Sequence, residues 1–196
     1  MTDGPGATVD DDRGSDAGET DASATEADAD AGYGGVFGAY PYAFRRSPSR
    51  LFRSYAVLGG LVTVLSIIVF TSALVQVIAN TAGTAGGSFT FVRAFYVVVG
   101  FLVIAPLMAP VLLVARRHRR VGSTPVYDRA LAGAGYLFLF SLYVALVVMA
   151  PPELRETPPA VIAPAVETLY GLPQVMGAVP PLLALAVGYL LHRRYR

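Results

Sequence analysis

The sequence contains no cysteine and no lysine among its 196 residues, and it contains only two histidines. Without cysteine the chain forms no disulfide, offers no thiolate ligand to a metal and cannot use a thiol as a nucleophile. His118 and His192 are too few to form a histidine-rich metal site. We therefore predict that the protein binds no metal or other cofactor.

Acidic residues are scarce outside the N-terminal segment. Residues 1–32 contain ten acidic side chains and one arginine, whereas the rest of the chain contains four acidic side chains and fourteen arginines. The 1–32 segment also has almost no large apolar side chains, so it cannot bury enough surface to offset its ordering entropy. It is predicted to be a disordered acidic tail, which either keeps the chain solvated or folds back onto the arginine-rich surface.

Long apolar runs dominate the remainder of the chain. Hydrophobic residues make up 54% of the sequence, the mean hydropathy is +0.53, and the runs have the ~20-residue length needed to cross the hydrocarbon layer as a helix. Because backbone polar groups in lipid must be satisfied within the segment, we predict an all-α membrane protein. Residues 54–196 form its membrane domain, with four transmembrane helices at about 55–79, 91–115, 129–150 and 172–191.

Aromatic residues alternate with arginines in residues 33–53, a composition suited to the headgroup layer. Pro41 and Pro48 interrupt this segment, so we predict an irregular stretch followed by a short interfacial helix from about Ser49. Aromatic and arginine residues also occur in nucleic-acid-binding segments, but direct attachment to a membrane span and the lack of an RNA-binding motif argue against that partner.

Pairs of prolines occur within the second and fourth predicted spans. Each proline removes a backbone hydrogen bond and presses on the preceding turn of a helix. Helix kinks are therefore predicted at Pro106, Pro110, Pro180 and Pro181.

The distribution of arginine predicts the topology. Twelve arginines lie near the predicted ends of spans on one side and only Arg93 and Arg155 on the other, and loops rich in arginine stay in the cytoplasm. The four helices are thus predicted to form an antiparallel bundle in the cell membrane with both termini cytoplasmic. The arginines expected to set this topology and to contact anionic lipids are Arg45, Arg46, Arg50, Arg53, Arg116, Arg117, Arg119, Arg120, Arg193 and Arg194.

Catalytic motifs are not recognisable in the sequence. No Ser/His/Asp set, HExxH, GxGxxG or Walker-type loop is found, and no Asp, Glu, Lys or His lies in the centre of a predicted span. Such central ionisable groups are the usual requirement of proton-coupled transport. By the predicted topology Asp128 lies on the opposite side of the membrane from Glu153, Glu156 and Glu167, so it cannot form a catalytic pair with them. We predict no catalytic residues.

Residues 40–53, with the sequence YPYAFRRSPSRLFR, lead into a glycine-containing span. This segment, together with the acidic tail and the use of arginine as the only basic residue besides histidine, resembles small uncharacterised integral membrane proteins of halophilic archaea. The resemblance covers roughly residues 38–196. It implies an archaeal membrane protein with four helices and no assigned activity, and it transfers no functional residues.

Three functions are compatible with these patterns. The preferred one is a non-enzymatic membrane component that packs with a second copy of itself or with another membrane protein, because reactive groups are few and small residues recur on helix faces. The alternative is a small channel or facilitator for a neutral or anionic solute, based on the predicted kinks. The third is an enzyme acting on lipid headgroups, in which residues 116–120 hold phosphates.

Overall fold

A computed structural model describes residues 35–81, 87–122 and 124–195, and all regular structure within these ranges is helical. The predicted tail at 1–32 and most of the predicted turn at 80–88 lie outside the described residues. The elements in chain order are α1 (Gly35–Arg46), α2 (Arg50–Asn80), α3 (Gly87–Arg120), α4 (Pro125–Met149), a 3₁₀-helix (Pro152–Leu154), α5 (Ala163–Tyr170), a second 3₁₀-helix (Gln174–Ala178) and α6 (Val179–Tyr195).

Four helical segments are long and apolar enough to cross a membrane, which confirms the predicted number of spans. They are α2, α3, α4 and the second 3₁₀-helix continued by α6, and their most apolar windows have mean hydropathies between 1.7 and 2.8. α2 has 31 residues and is about 46 Å long at 1.5 Å per residue, against a hydrocarbon core of about 30 Å. α2 and α3 extend beyond their predicted spans at both ends, whereas α4 and the fourth segment are shifted relative to theirs, ending at Met149 and beginning at Gln174.

The segment before the first span is more regular than predicted. α1 continues through Pro41, whose ring removes a single backbone hydrogen bond from the helix. Ala39 and Ala43 on α1 are fully buried, and α1 packs chiefly against α3. The short helix predicted from Ser49 is the first turn of α2, because the Ser49 hydroxyl accepts a hydrogen bond from the backbone N–H of Phe52 and so caps that helix.

α2 and α3 form an antiparallel pair. Near one end of the pair, the Tyr55 hydroxyl donates a 2.7 Å hydrogen bond to the Leu107 carbonyl oxygen. At the other end, the Arg93 guanidinium donates hydrogen bonds to the hydroxyl and the carbonyl oxygen of Thr81. The residue numbers of the partners on α3 therefore fall as those on α2 rise, which shows that the two helices run in opposite directions.

α4 and α6 form the second antiparallel pair. The Tyr127 hydroxyl lies 2.9 Å from Nδ1 of His192, and a Cβ placed on Gly188 would lie 3.6 Å from Cβ of Ala134. Ala184, one turn before Gly188, is also buried. The small residues Ala184 and Gly188 therefore allow α6 to approach α4 closely.

The paired prolines differ in their position within the helices. Pro106 and Pro110 lie inside α3, which continues through both of them to Arg120. Pro180 and Pro181 follow the first residue of α6, at the point where the second 3₁₀-helix passes into an α-helix. Proline is well tolerated in the first turn of a helix, where its missing N–H has no intrahelical acceptor.

The interior between the spans is filled by apolar side chains. Leu107 of α3, Phe138 of α4 and Ala184 of α6 form a buried cluster, against which Val62 and Leu142 pack. This cluster fills the space between three of the spans with apolar side chains, and the buried hydroxyls of Thr63 and Ser141 bond carbonyl oxygens of their own helices.

The end of the bundle opposite the arginine clusters contains Arg93 and Arg155, and each of them binds the last carbonyl groups of a span. Arg93 binds Thr81 after α2, and Arg155 donates to the Ala150 carbonyl oxygen after α4 while its guanidinium lies 4.9 Å from the Tyr170 ring centroid. A cation at a helix C-terminus satisfies free carbonyls and complements the helix dipole. These two arginines therefore have a structural role.

Candidate functional site

Three polar side chains from distant parts of the chain meet at the arginine-rich end of the bundle. The Ser47 hydroxyl donates to Oδ2 of Asp128 at 2.6 Å, and Nε2 of His118 lies 3.1 Å from the same oxygen and 3.2 Å from Oδ1. The side chains of Asp128 and His118 have 0% and 3% of their surface exposed, and Ser47 is fully buried. We call these three residues the carboxylate cluster.

Local sequence places each member of the carboxylate cluster. Ser47 lies in the three-residue turn between α1 and α2, and its backbone N–H bonds the Ala43 carbonyl oxygen at the end of α1. His118 lies in the last turn of α3. Asp128 lies in the first turn of α4, which begins at Pro125, and an acidic side chain there is favoured by the helix dipole.

The carboxylate cluster has the geometry of a structural contact between helix ends, and it differs from that of a catalytic triad. Asp128 is in the centre: its Oδ2 accepts from the Ser47 hydroxyl, and both carboxylate oxygens lie within hydrogen-bond distance of Nε2 of His118. A nucleophilic triad instead has the imidazole between the hydroxyl and the carboxylate. Here the Ser47 hydroxyl donates its hydrogen bond to the carboxylate and not to the imidazole. The cluster therefore joins the α1–α2 turn, the end of α3 and the start of α4.

A second group of contacts at the same end joins α3 and α4 to α6. The Arg117 guanidinium lies 4.1 Å from the Tyr127 ring centroid and donates to the Tyr195 carbonyl oxygen. The Tyr127 hydroxyl is bonded to His192. Cation–π stacking and hydrogen bonding together hold the Arg117 side chain in one position.

A cavity of about 340 Å³ opens beside this second group of contacts. Its polar lining consists of Arg116, Arg117, Arg120, Tyr127 and His192, from the ends of α3 and α6 and the start of α4. We call it the arginine pocket. Its volume falls within the range of ligand-binding cavities in proteins.

The predicted arginines divide between this pocket and the surrounding surface. Arg116, Arg117 and Arg120 line the pocket, whereas Arg53 packs against the α1–α2 turn, where its Nε donates to the Ser47 carbonyl oxygen and its guanidinium lies 5.7 Å from the Phe44 ring centroid. The remaining predicted arginines are exposed outside the pocket lining: Arg45, Arg46, Arg50, Arg119, Arg193 and Arg194. Their contacts with lipid stay a prediction.

The expectation that the chain contains no Ser/His/Asp set is wrong for the folded protein, although its order differs from that of a catalytic triad. The cluster is not recognisable in the sequence, because Ser47 and Asp128 are 81 residues apart and no local spacing relates them. Two signals were available. Asp128 is the only acidic residue between positions 31 and 152, and both histidines lie beside arginine clusters.

Four helices that are long and apolar enough to cross a membrane indicate a multi-pass membrane protein. The profile of a family described as a domain of unknown function (DUF8056) matches residues 9–196, and the chain belongs to this family. No curated protein and no solved structure matches the chain. The family description agrees with the expectation of a family without an assigned activity, and the archaeal origin stays a prediction.

Proposed function

We propose that the protein is a non-enzymatic component of the cell membrane that packs against another membrane protein or a second copy of itself. Both termini lie in the cytoplasm in this proposal. Its orientation is supported by the cytoplasmic preference of arginine-rich loops. It is further supported by the contacts that join the α1–α2 turn, the α3–α4 connection and the end of α6 at one end of the bundle.

The observation that carries the proposal is the uncovered surface of α2. Only 6% of the most apolar window of α2 is buried within the protein, compared with 11% for the fourth span, 28% for α3 and 44% for α4. Large side chains along one face of α2 are more than half exposed: Leu61, Leu65, Ile68 and Val75. Their spacing of four, three and seven residues follows the heptad repeat by which helices pack at small crossing angles in water and in membranes.

The use of polar groups supports a non-enzymatic role. The hydrogen bonds of Ser47, His118 and Asp128 connect structural elements, and these side chains are buried away from any substrate. The apolar cluster of Leu107, Phe138 and Ala184 supports packing over the channel alternative, because a solute path through the centre of the bundle would have to cross it.

Site-specific photo-crosslinking in native membranes tests the proposal. A photoreactive residue is introduced at Ile68 on α2, and the matched control carries it at Phe140 on α4, the span with the largest buried share, where the side chain is similarly exposed at 64% against 56%. We expect the Ile68 probe to capture one defined protein, either the same chain or a single other membrane protein, and the Phe140 probe to capture lipid. Lipid alone at both positions would refute the packing role of this face.

A further inference from the structure

The arginine pocket brings together positive charge from one helix and polar groups from two others. Arg116, Arg117 and Arg120 lie in the last two turns of α3, Tyr127 lies in the first turn of α4, and His192 lies near the end of α6. Three guanidinium groups facing one cavity repel one another. An anion held between them would remove that repulsion.

Carboxylates of the described residues do not neutralise the pocket. Asp128, the acidic residue nearest to it in the chain, is fully buried and bonded to Ser47 and His118. The other acidic residues within the described ranges are Glu153, Glu156 and Glu167, which follow α4 at the opposite end of the bundle. Within the part of the chain that the structure describes, no carboxylate therefore competes with an external ligand for the positive charge of the pocket.

Part of the pocket is preorganised for a ligand. Stacking on Tyr127 and the bond to the Tyr195 carbonyl oxygen fix Arg117 before any ligand binds, which lowers the entropy lost on binding. A guanidinium has five N–H donors in a planar fork, so donors remain after one is used for Tyr195. This geometry matches the paired oxygens of a phosphate.

Apolar residues complete the lining of the pocket. Leu113 lies one turn before Arg116 and Arg117, towards the apolar part of α3, and Val121, which is 81% exposed, follows the last residue of that helix. The lining thus changes along α3 from guanidinium groups to an aliphatic side chain. A phospholipid presents the same order, with its phosphate above the start of its acyl chains.

We propose that the arginine pocket is a binding site for a phosphate group, presented by an anionic phospholipid headgroup or by a soluble phosphate. Arg116 and Arg120 attract the anion, Arg117 binds it in a fixed orientation, and Leu113 contacts the glycerol region when the ligand is a lipid. This site is independent of the packing role proposed for α2.

Native mass spectrometry of the full chain, released from nanodiscs that contain phosphatidylglycerol and phosphatidylcholine, tests the proposal. Arg116→Gln combined with Arg120→Gln removes two charges from the pocket. The matched control, Arg193→Gln combined with Arg194→Gln, removes two charges from exposed positions outside the lining. Thermal unfolding confirms that both variants are folded. We expect about a tenfold loss of phosphatidylglycerol retention in the pocket variant, corresponding to ~1.4 kcal/mol, and little change in the control.

A second arm identifies the source of the phosphate. Inorganic phosphate is titrated into the detergent-solubilised full chain, and saturable binding that the pocket variant loses assigns the site to a soluble ligand. Retention of phosphatidylglycerol without binding of inorganic phosphate assigns it to a lipid. Equal losses in the pocket and control variants, or no binding in either arm, would overturn the proposal.

The acidic residues of the N-terminal segment provide a third arm. A full-length chain in which the ten acidic residues at positions 1–32 are replaced by their amides should bind phosphate or lipid through the pocket as the native chain does. Binding that occurs only after this replacement would show that carboxylates of the same chain occupy the pocket, and it would also overturn the proposal.

Discussion

The Ser47 hydroxyl donates a 2.6 Å hydrogen bond to the carboxylate of Asp128, and this contact connects the turn before the first span to the start of the third. Both side chains are fully buried. Because His118 binds the same carboxylate, one acidic side chain fixes the relative positions of three helix ends. The arginine pocket lies beside this junction, since Tyr127 precedes Asp128 and Arg117 precedes His118 in the chain.

Replacement of Asp128 is predicted to destabilise the fold. Asp128→Ala leaves the Ser47 hydroxyl and the His118 ring buried without their common acceptor, and we expect the free energy of unfolding to fall by about 3 kcal/mol. Thermal and denaturant unfolding in detergent measure the change. Glu156→Ala, at an exposed position, is the control and should leave stability within about 0.5 kcal/mol. Equal stability of the two variants would show that the cluster contributes little.

The hydroxyl of Tyr55 is predicted to stabilise α3 between its two internal prolines. Tyr55→Phe keeps the buried ring and removes only the bond to the Leu107 carbonyl oxygen, so stability should fall by about 1 kcal/mol. Tyr143→Phe serves as the control, because Tyr143 is 63% exposed on the surface of α4. Unfolding titrations in mixed detergent compare the two, and a similar small change in both would contradict the prediction.

Gly135 is predicted to be required for stability, because the Tyr55 ring leaves no room for a side chain at this position. A Cβ at Gly135 would lie 2.3 Å from Cζ of Tyr55, whereas a Cβ at Gly133 on the same helix would meet no atom within 4 Å. Gly135→Ala should therefore cost about 2 kcal/mol through overpacking. Gly133→Ala should be neutral or stabilising by up to ~1 kcal/mol, because alanine favours helix.

A double variant separates this steric clash from a change in helix propensity. Gly135→Ala should be much less harmful in a chain that already carries Tyr55→Leu, because the ring that meets the new methyl group is gone. Additive effects of the two substitutions on the unfolding free energy would locate the cost of Gly135→Ala elsewhere.

The N- and C-termini are predicted to lie on the cytoplasmic side. Labelling of introduced thiols tests this orientation, because the chain has no cysteine of its own. Val121→Cys and Val161→Cys introduce thiols at valines that are 81% and 93% exposed, before α4 and after it. A membrane-impermeant maleimide should label Val161→Cys in intact cells and label Val121→Cys only after the membrane is opened. The reverse pattern would invert the proposed topology.

Sequence alone predicted the four membrane helices because each signal is local. An apolar run of about 20 residues has to cross the hydrocarbon layer as a helix wherever it occurs. α5 begins beside Pro164, and proline in the first turn of a helix is a local feature of the same kind. α1 was not predicted, because its stability depends on burial of Ala39 and Ala43 in contacts with the spans, which outweighs the local cost of Pro41.

The amino-acid sequence was sufficient to predict the class of protein, the number of spans and the position of its charged segments. Each of these features follows from the hydrophobicity and arginine content of segments about one helix long. The contacts of individual polar side chains depended on how the helices pack. Ser47 lies 81 residues from Asp128, and Tyr127 lies 65 residues from His192. The antiparallel packing of α4 with α6 brings Tyr127 to His192, and the position of the α1–α2 turn beside the ends of α3 and α4 brings Ser47 to Asp128. The carboxylate cluster and the arginine pocket therefore depend on the tertiary structure.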